Sequence, residues 1–124
     1  MALFEPRSGI VLDELEDELA RAFDAVRSAV GNDDGVVLSV DDEHLGGAGG
    51  NVAEAALAHG LLGLARAAAF EGRKDGWKIS VMASSATVGQ SDRDDWAERL
   101  SADGSSANGA LLRLGGGHLG RLPT

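Results

Sequence analysis

Between residues 12 and 30 the apolar positions Leu12, Leu15, Leu19, Phe23, Val26 and Val30 recur every three or four residues, the repeat of a helix that buries one face. Asp13, Glu14, Glu16, Asp17 and Glu18 crowd its first turns, where carboxylates favour the positive end of the helix dipole, and they read as a solvated helix start. Gly31 supplies a stop. After the turn Asn32, Asp33, Asp34, Gly35, the run VVLSV at 36–40 is short, β-branched and almost wholly apolar, as expected of a strand covered on both faces of a parallel sheet. A second helix is predicted over 52–70, where ten of nineteen residues are Ala or Gly and no Pro interrupts. Leu57, Leu61, Leu64 and Ala68 form one stripe along it, and Ala53, Ala56, Gly60, Gly63 and Ala67 form a second stripe of small residues. Only His59 and Arg66 mark a polar line. A helix apolar nearly all round is expected to be covered on more than one side, and a small-residue stripe lets another backbone approach closely. One side would pack on this chain's own sheet and the other on a second subunit; the alternative is an Ala-rich core helix of a monomer.

The remaining elements are weaker in pattern. Residues 77–83 read as a strand and SSATVGQ after it as a loop. A third helix runs from Ser91 to about Ala102, with Asp92, Asp94 and Asp95 at its start and Trp96 and Leu100 on its buried side. A last short strand, ALLRL, spans 110–114, and the tail 115–124 is expected to be loose. At the other end a short apolar ALF is followed by EPRSG, a turn in which Pro6 and Gly9 break any regular element. The alternation of helices and strands predicts one α/β domain over 1–124, with about four parallel strands and three helices packed on the sheet.

Composition narrows the function. A chain of 124 residues can bury one modest core but not two. No apolar run of about 18 residues predicts a membrane span, no basic stretch followed by an apolar core marks a secretory leader, and cysteine is absent. The expected compartment is therefore the cytoplasm. Net charge is -9, and residues 1–54 carry thirteen acids against three bases. Such a surface repels phosphate backbones and anionic lipid heads, so neither nucleic acid nor membrane is an expected partner, and a dinucleotide pyrophosphate is disfavoured too.

Three constellations invite chemistry. GGAGG at 46–50 lies between strand and helix like a phosphate loop, but the G-x-G-x-x-G spacing fails, no Lys follows, and Asp41, Asp42 and Glu43 precede it. It reads as a linker. DDEH at 41–44 offers three carboxylates and an imidazole, but no second ligand cluster accompanies it, so a solvated acidic loop is expected rather than a metal site. His59 would face Glu54 or the Asp41 loop if it served as a general base; otherwise it is the exposed edge of its helix.

The stretch AALAHGLLGLARAAAFEGRKDGWKISVMA resembles the C-terminal half of short-chain dehydrogenases/reductases, in which a helix of the form YxxxKxAxxGLxRxxAxE precedes a strand like IRVNxVxPG. Gly63, Leu64, Arg66, Ala69 and Glu71 match the GLxRxxAxE part, and NGALLRLGGG is similar to the family's closing TGxxxxVDGG, with Asn108 for Thr and Gly115 for Asp. The resemblance implies a truncated Rossmann-like three-layer fold whose ALF segment is the tail of the family's fourth strand. Its register puts the family's catalytic Tyr on Glu54, Lys on Ala58 and Ser on Asp41, with the helix Asn near Glu18. All three catalytic residues are thus replaced, the chain contains no Tyr, and the Gly-rich TGxxxGIG half that seats the cofactor has no counterpart, so neither catalytic residues nor a bound cofactor or metal is expected.

Full-length members pair through two long helices, equivalent to 12–30 and 52–70. The implied interface is Leu15, Leu19, Phe23 and Val26 on the first and Ala53, Ala56, Leu57, Gly60, Leu61, Gly63, Leu64 and Ala67 on the second. The reading that follows is a non-catalytic, dimerising pseudoenzyme subunit, joined to itself or to a full-length reductase, with the strand edge left by the missing half as a further contact surface. Two alternatives stand beside it. One is a small-molecule or acyl-substrate binding component of a biosynthetic reductase system, using a remnant pocket between Asp41, Glu54 and the 84–89 loop. The other is an enzyme that uses His44, His59 and the carboxylates for hydrolysis or proton transfer.

Overall fold

A computed structural model of the chain describes residues 2–46, 51–102 and 107–115. The GGAGG loop beyond Gly46 and the tail beyond Gly115 lie outside the described residues. Four parallel strands, β1 (Ala2–Phe4), β2 (Val36–Asp41), β3 (Ile79–Ser84) and β4 (Leu111–Leu114), form a sheet in the order β1-β2-β3-β4. Between them run α1 (Leu12–Gly31), a single turn α2 (Asp42–Leu45), α3 (Val52–Glu71) and α4 (Gln90–Ser101). This is the expected α/β architecture, with one helix more than the pattern implied.

Alternation along β2 and β3 sorts the core into two layers. Val36, Leu38, Val40, Ile79, Val81 and Ala83 join α1 and α3 in one cluster, whereas Val37 and Met82 meet Ala97 of α4 on the other face. All six residues of β3 and five of six in β2 are buried, which accounts for the unbroken apolar run at 36–40. With α1 and α3 on one face and α4 on the other, the β3-α4-β4 crossover has the opposite hand to the two before it, a departure from the usual uniformity of parallel connections.

α3 owes its position to size. Its line Ala53, Leu57, Ala58, Leu61, Ala65 and Ala69 is buried, and Gly60 sits so close to α1 that a Cβ there would lie 2.9 Å from Cδ2 of Leu19. By length and composition α3 is apolar enough to cross a bilayer, which the sequence reading did not expect, yet this line packs in the domain core.

Several local expectations need correction. Trp96 is not on the buried side of α4: it is 38% exposed, with the Arg99 guanidinium 4.9 Å from its ring centroid, and Ala97 is the buried residue. Because α4 covers the sheet with one narrow line, a small residue fits where the indole would not. The helix begins at Gln90, one residue before the expected Ser91, with Gly89 as its N-cap. Residue 77 is still in the turn, its N–H donating to Gly72 O at 3.3 Å, so β3 starts two residues later than the pattern suggested. The largest departure is Glu18. Asp13, Glu16 and Asp17 are solvated as a helix start should be, but Glu18 is fully buried.

A candidate ligand cleft at the carboxyl ends of the strands

Parallel strands present their carboxyl ends on one edge, and crevices form there between the loops that leave them. β2 and β3 end in register, Asp41 beside Ser84. The chain turns at Asp41 into α2, where the Asp41 carboxylate accepts the Glu43 N–H at 2.8 Å and caps the new turn. On the far side Asn51 caps α3, its Oδ1 accepting the Glu54 N–H at 3.1 Å. The segment after β1 folds across the gap. Together these elements enclose a cleft of about 400 Å³ with a polar wall that includes Ser39, Asp41, His44, Glu54 and Ser84, and an apolar floor of Val40, Leu57, Ala58 and Leu61.

Asp41, Glu54 and Ala58, the positions assigned to the family's Ser, Tyr and Lys, all line this cleft. Glu54 is turned to another use. One carboxylate oxygen accepts the Gly9 N–H and the other lies 2.6 Å from His44 Nε2, so the chain itself occupies both. The Asn51 side-chain amide reaches Ile10 O at 3.5 Å, a second tie to the same segment. Glu18 holds that segment from below. It accepts from Arg7 N at 2.7 Å, Arg7 Nε at 2.9 Å and Arg21 Nε and Nη2 at 2.8 and 3.0 Å. The Arg21 hydrogen bonds foremost, reinforced by those from Arg7, overcome the cost of burial and lower the Glu18 pKa from 4.5 to about 2.

His59 is exposed on the outer side of α3 and does not face Glu54; the imidazole that does belongs to His44, across the glycine-rich loop. The DDEH run is divided among separate tasks: Asp41 caps, Asp42 holds Arg113 through two hydrogen bonds of 2.7 and 2.9 Å, Glu43 is exposed and His44 meets Glu54. Among the described residues no group of three or more His, Asp or Glu is placed to hold a metal ion.

No family model matches this sequence, and no curated protein matches it. A solved structure does. The crystal structure of 3-hydroxyacyl-CoA dehydrogenase type-2 from Mycobacterium avium superposes with a TM-score of 0.53 and 20% identity, over 83% of this chain and 51% of that one. The fold is short-chain-dehydrogenase-like. The chain spans about half the length of that dehydrogenase.

The residues assigned to pairing separate into three groups. Val26, Ala53, Leu57 and Leu61 are buried in this chain's own core and are spent there. Leu15, Leu19, Gly60 and Leu64 are half-buried, at or near the seam between α1 and α3. Phe23, Ala56, Gly63 and Ala67 are exposed. The small-residue stripe is therefore not one surface: Gly60 admits Leu19 of the same chain, while a Cβ on Gly63 would meet nothing within 4 Å.

Proposed function

We propose that this chain is a non-catalytic short-chain-dehydrogenase-like subunit, corresponding to the C-terminal half of that fold, that pairs through the outer faces of α1 and α3 with a second copy or with a full-length reductase. The observation that carries the non-catalytic part is the use of Glu54. At the position of the family's proton-exchanging phenol stands a carboxylate already engaged on both oxygens by Gly9 and His44, with Ala58 in place of the ammonium that would tune it. The pairing part is supported by apolar exposure. Val52 and Phe70 are 72% and 69% exposed at the two ends of the outer line of α3, Ala56, Gly63 and Ala67 lie between them beside the exposed His59 and Arg66, and Leu12 and Phe23 are open on α1.

Light scattering over a concentration series tests the pairing. The wild-type chain is expected at twice its monomer mass and Gly63→Arg at the monomer mass, with the same far-UV circular dichroism, because that position is open in the subunit. Gly60→Arg is the wrong control, since it would strike Leu19 within the chain. A wild-type monomer that also fails to co-elute with a full-length short-chain reductase would remove the pairing reading.

A second reading is favoured by the cleft itself: a small-molecule binding component, the acyl chain being one candidate by likeness to the 3-hydroxyacyl-CoA dehydrogenase. A volume of about 400 Å³ with an apolar floor and a few polar groups is that of a small-ligand site.

A further inference from the structure

The charged groups around the cleft are mostly committed to one another. Arg93 donates to Val88 O at 2.7 Å and to Gln90, while its Nε, 3.5 Å from the Glu5 carboxylate, is buried without a hydrogen-bond partner among the described residues. Arg7 binds Glu18, and His44 and Glu54 face each other. Asp41 differs. It is half-buried, one oxygen serves the cap of α2, and no cation stands against it among the described residues.

Beside it are two unmet hydroxyls. Ser39 and Ser84 are 6% and 7% exposed, both line the cleft, and neither side chain has a hydrogen-bond partner among the described residues. Both hydroxyls keep a small area open to the cleft, and Ser84 is the register neighbour of Asp41 on the next strand. An uncompensated carboxylate beside two such hydroxyls is a polar set lacking its complement. The opposite wall, Leu57, Ala58 and Leu61, offers only hydrocarbon.

The geometry points to a small organic cation as the ligand of this cleft: a primary amine whose ammonium meets Asp41 and the hydroxyls of Ser39 and Ser84, and whose apolar body lies on Leu57, Ala58 and Leu61. The ammonium supplies three donors, which suits one carboxylate oxygen and two hydroxyl oxygens. The acidic balance of residues 1–54 favours the same sign of ligand. This assignment rests on the small-molecule reading of the cleft and is independent of whether the subunit pairs.

Titration calorimetry with three probes of one shape tests it: benzylamine, protonated at neutral pH, against benzyl alcohol and benzoate. Benzylamine is expected to bind at least tenfold more tightly than either. Asp41→Asn removes the charge but keeps an N-cap residue, so the fold should be retained, and it is expected to weaken benzylamine about tenfold while leaving benzyl alcohol unchanged. Equal binding of the three probes, preference for benzoate, or indifference of benzylamine to Asp41→Asn would overturn the cation assignment and leave a ligand cleft in place. Binding of none of them, with no thermal stabilisation at millimolar probe, would overturn the assignment and the small-molecule reading together.

Discussion

Glu18→Gln is expected to destabilise the protein by about 3 kcal/mol at pH 7, because it leaves the guanidinium groups of Arg7 and Arg21 facing an uncharged amide. The same magnitude follows from the ionisation. A carboxyl lowered from 4.5 to about 2 contributes stability that is fully present above the unfolded value. At about 1.4 kcal/mol per pKa unit this amounts to roughly 3 kcal/mol. The folded pKa is the lower of the two, so this stability is lost as pH falls from 4.5 toward 2 and is not affected by a rise above neutrality. Urea unfolding of both proteins at several pH values checks it. The two stabilities should differ most near pH 7 and converge toward pH 2; a gap that stays constant with pH would show that the loss is one of packing rather than of charge.

Leu61→Ala is expected to cost about 3 kcal/mol, the ordinary result of emptying a fully buried leucine site that its neighbours cannot refill. Leu64→Ala, one turn on and only half-buried, should cost about 1 kcal/mol. Denaturant unfolding of the two variants measures the rotational setting of α3 about its own axis. Similar costs would mean that α3 is turned so that both leucines are covered. Leu61 also forms part of the cleft floor, so its removal should weaken any apolar ligand body as well as the fold.

The elements of this protein are legible where one periodicity dominates. The three-four repeat from Leu12 to Val30 became α1, and VVLSV became a strand buried on both faces. α3 was legible as a helix, but its orientation was not. When nearly every position is Ala, Gly or Leu, periodicity cannot say which line faces inward, and the small-residue stripe was divided between Leu19 of α1 and solvent. Trp96 failed for the converse reason. A large apolar residue in a polar helix looks like its anchor, but Ala97 and Leu100 take the space between α4 and the sheet and Trp96 is left 38% exposed.

The site was legible in part. The resemblance brought Asp41, Glu54 and Ala58 to one place, and all three line the cleft. It carried no information on what Glu54 does there, since its partners are Gly9, 45 residues away in sequence, and His44, across a glycine-rich loop. Glu18 was likewise indistinguishable from its acidic neighbours until Arg7 and Arg21 were seen to enclose it.

By itself the sequence determined the kind and order of the main elements, because helix and strand repeats are local properties of the chain. It also determined what chemistry is missing, because a chain without Tyr cannot supply a phenol wherever it folds. Only the tertiary structure decided which of the described carboxylates are tethers, which caps a helix and which are solvated. Those roles depend on distances of about 3 Å between residues far apart in the chain, and hydrogen bonds and ion pairs fall off too steeply for sequence spacing to specify them.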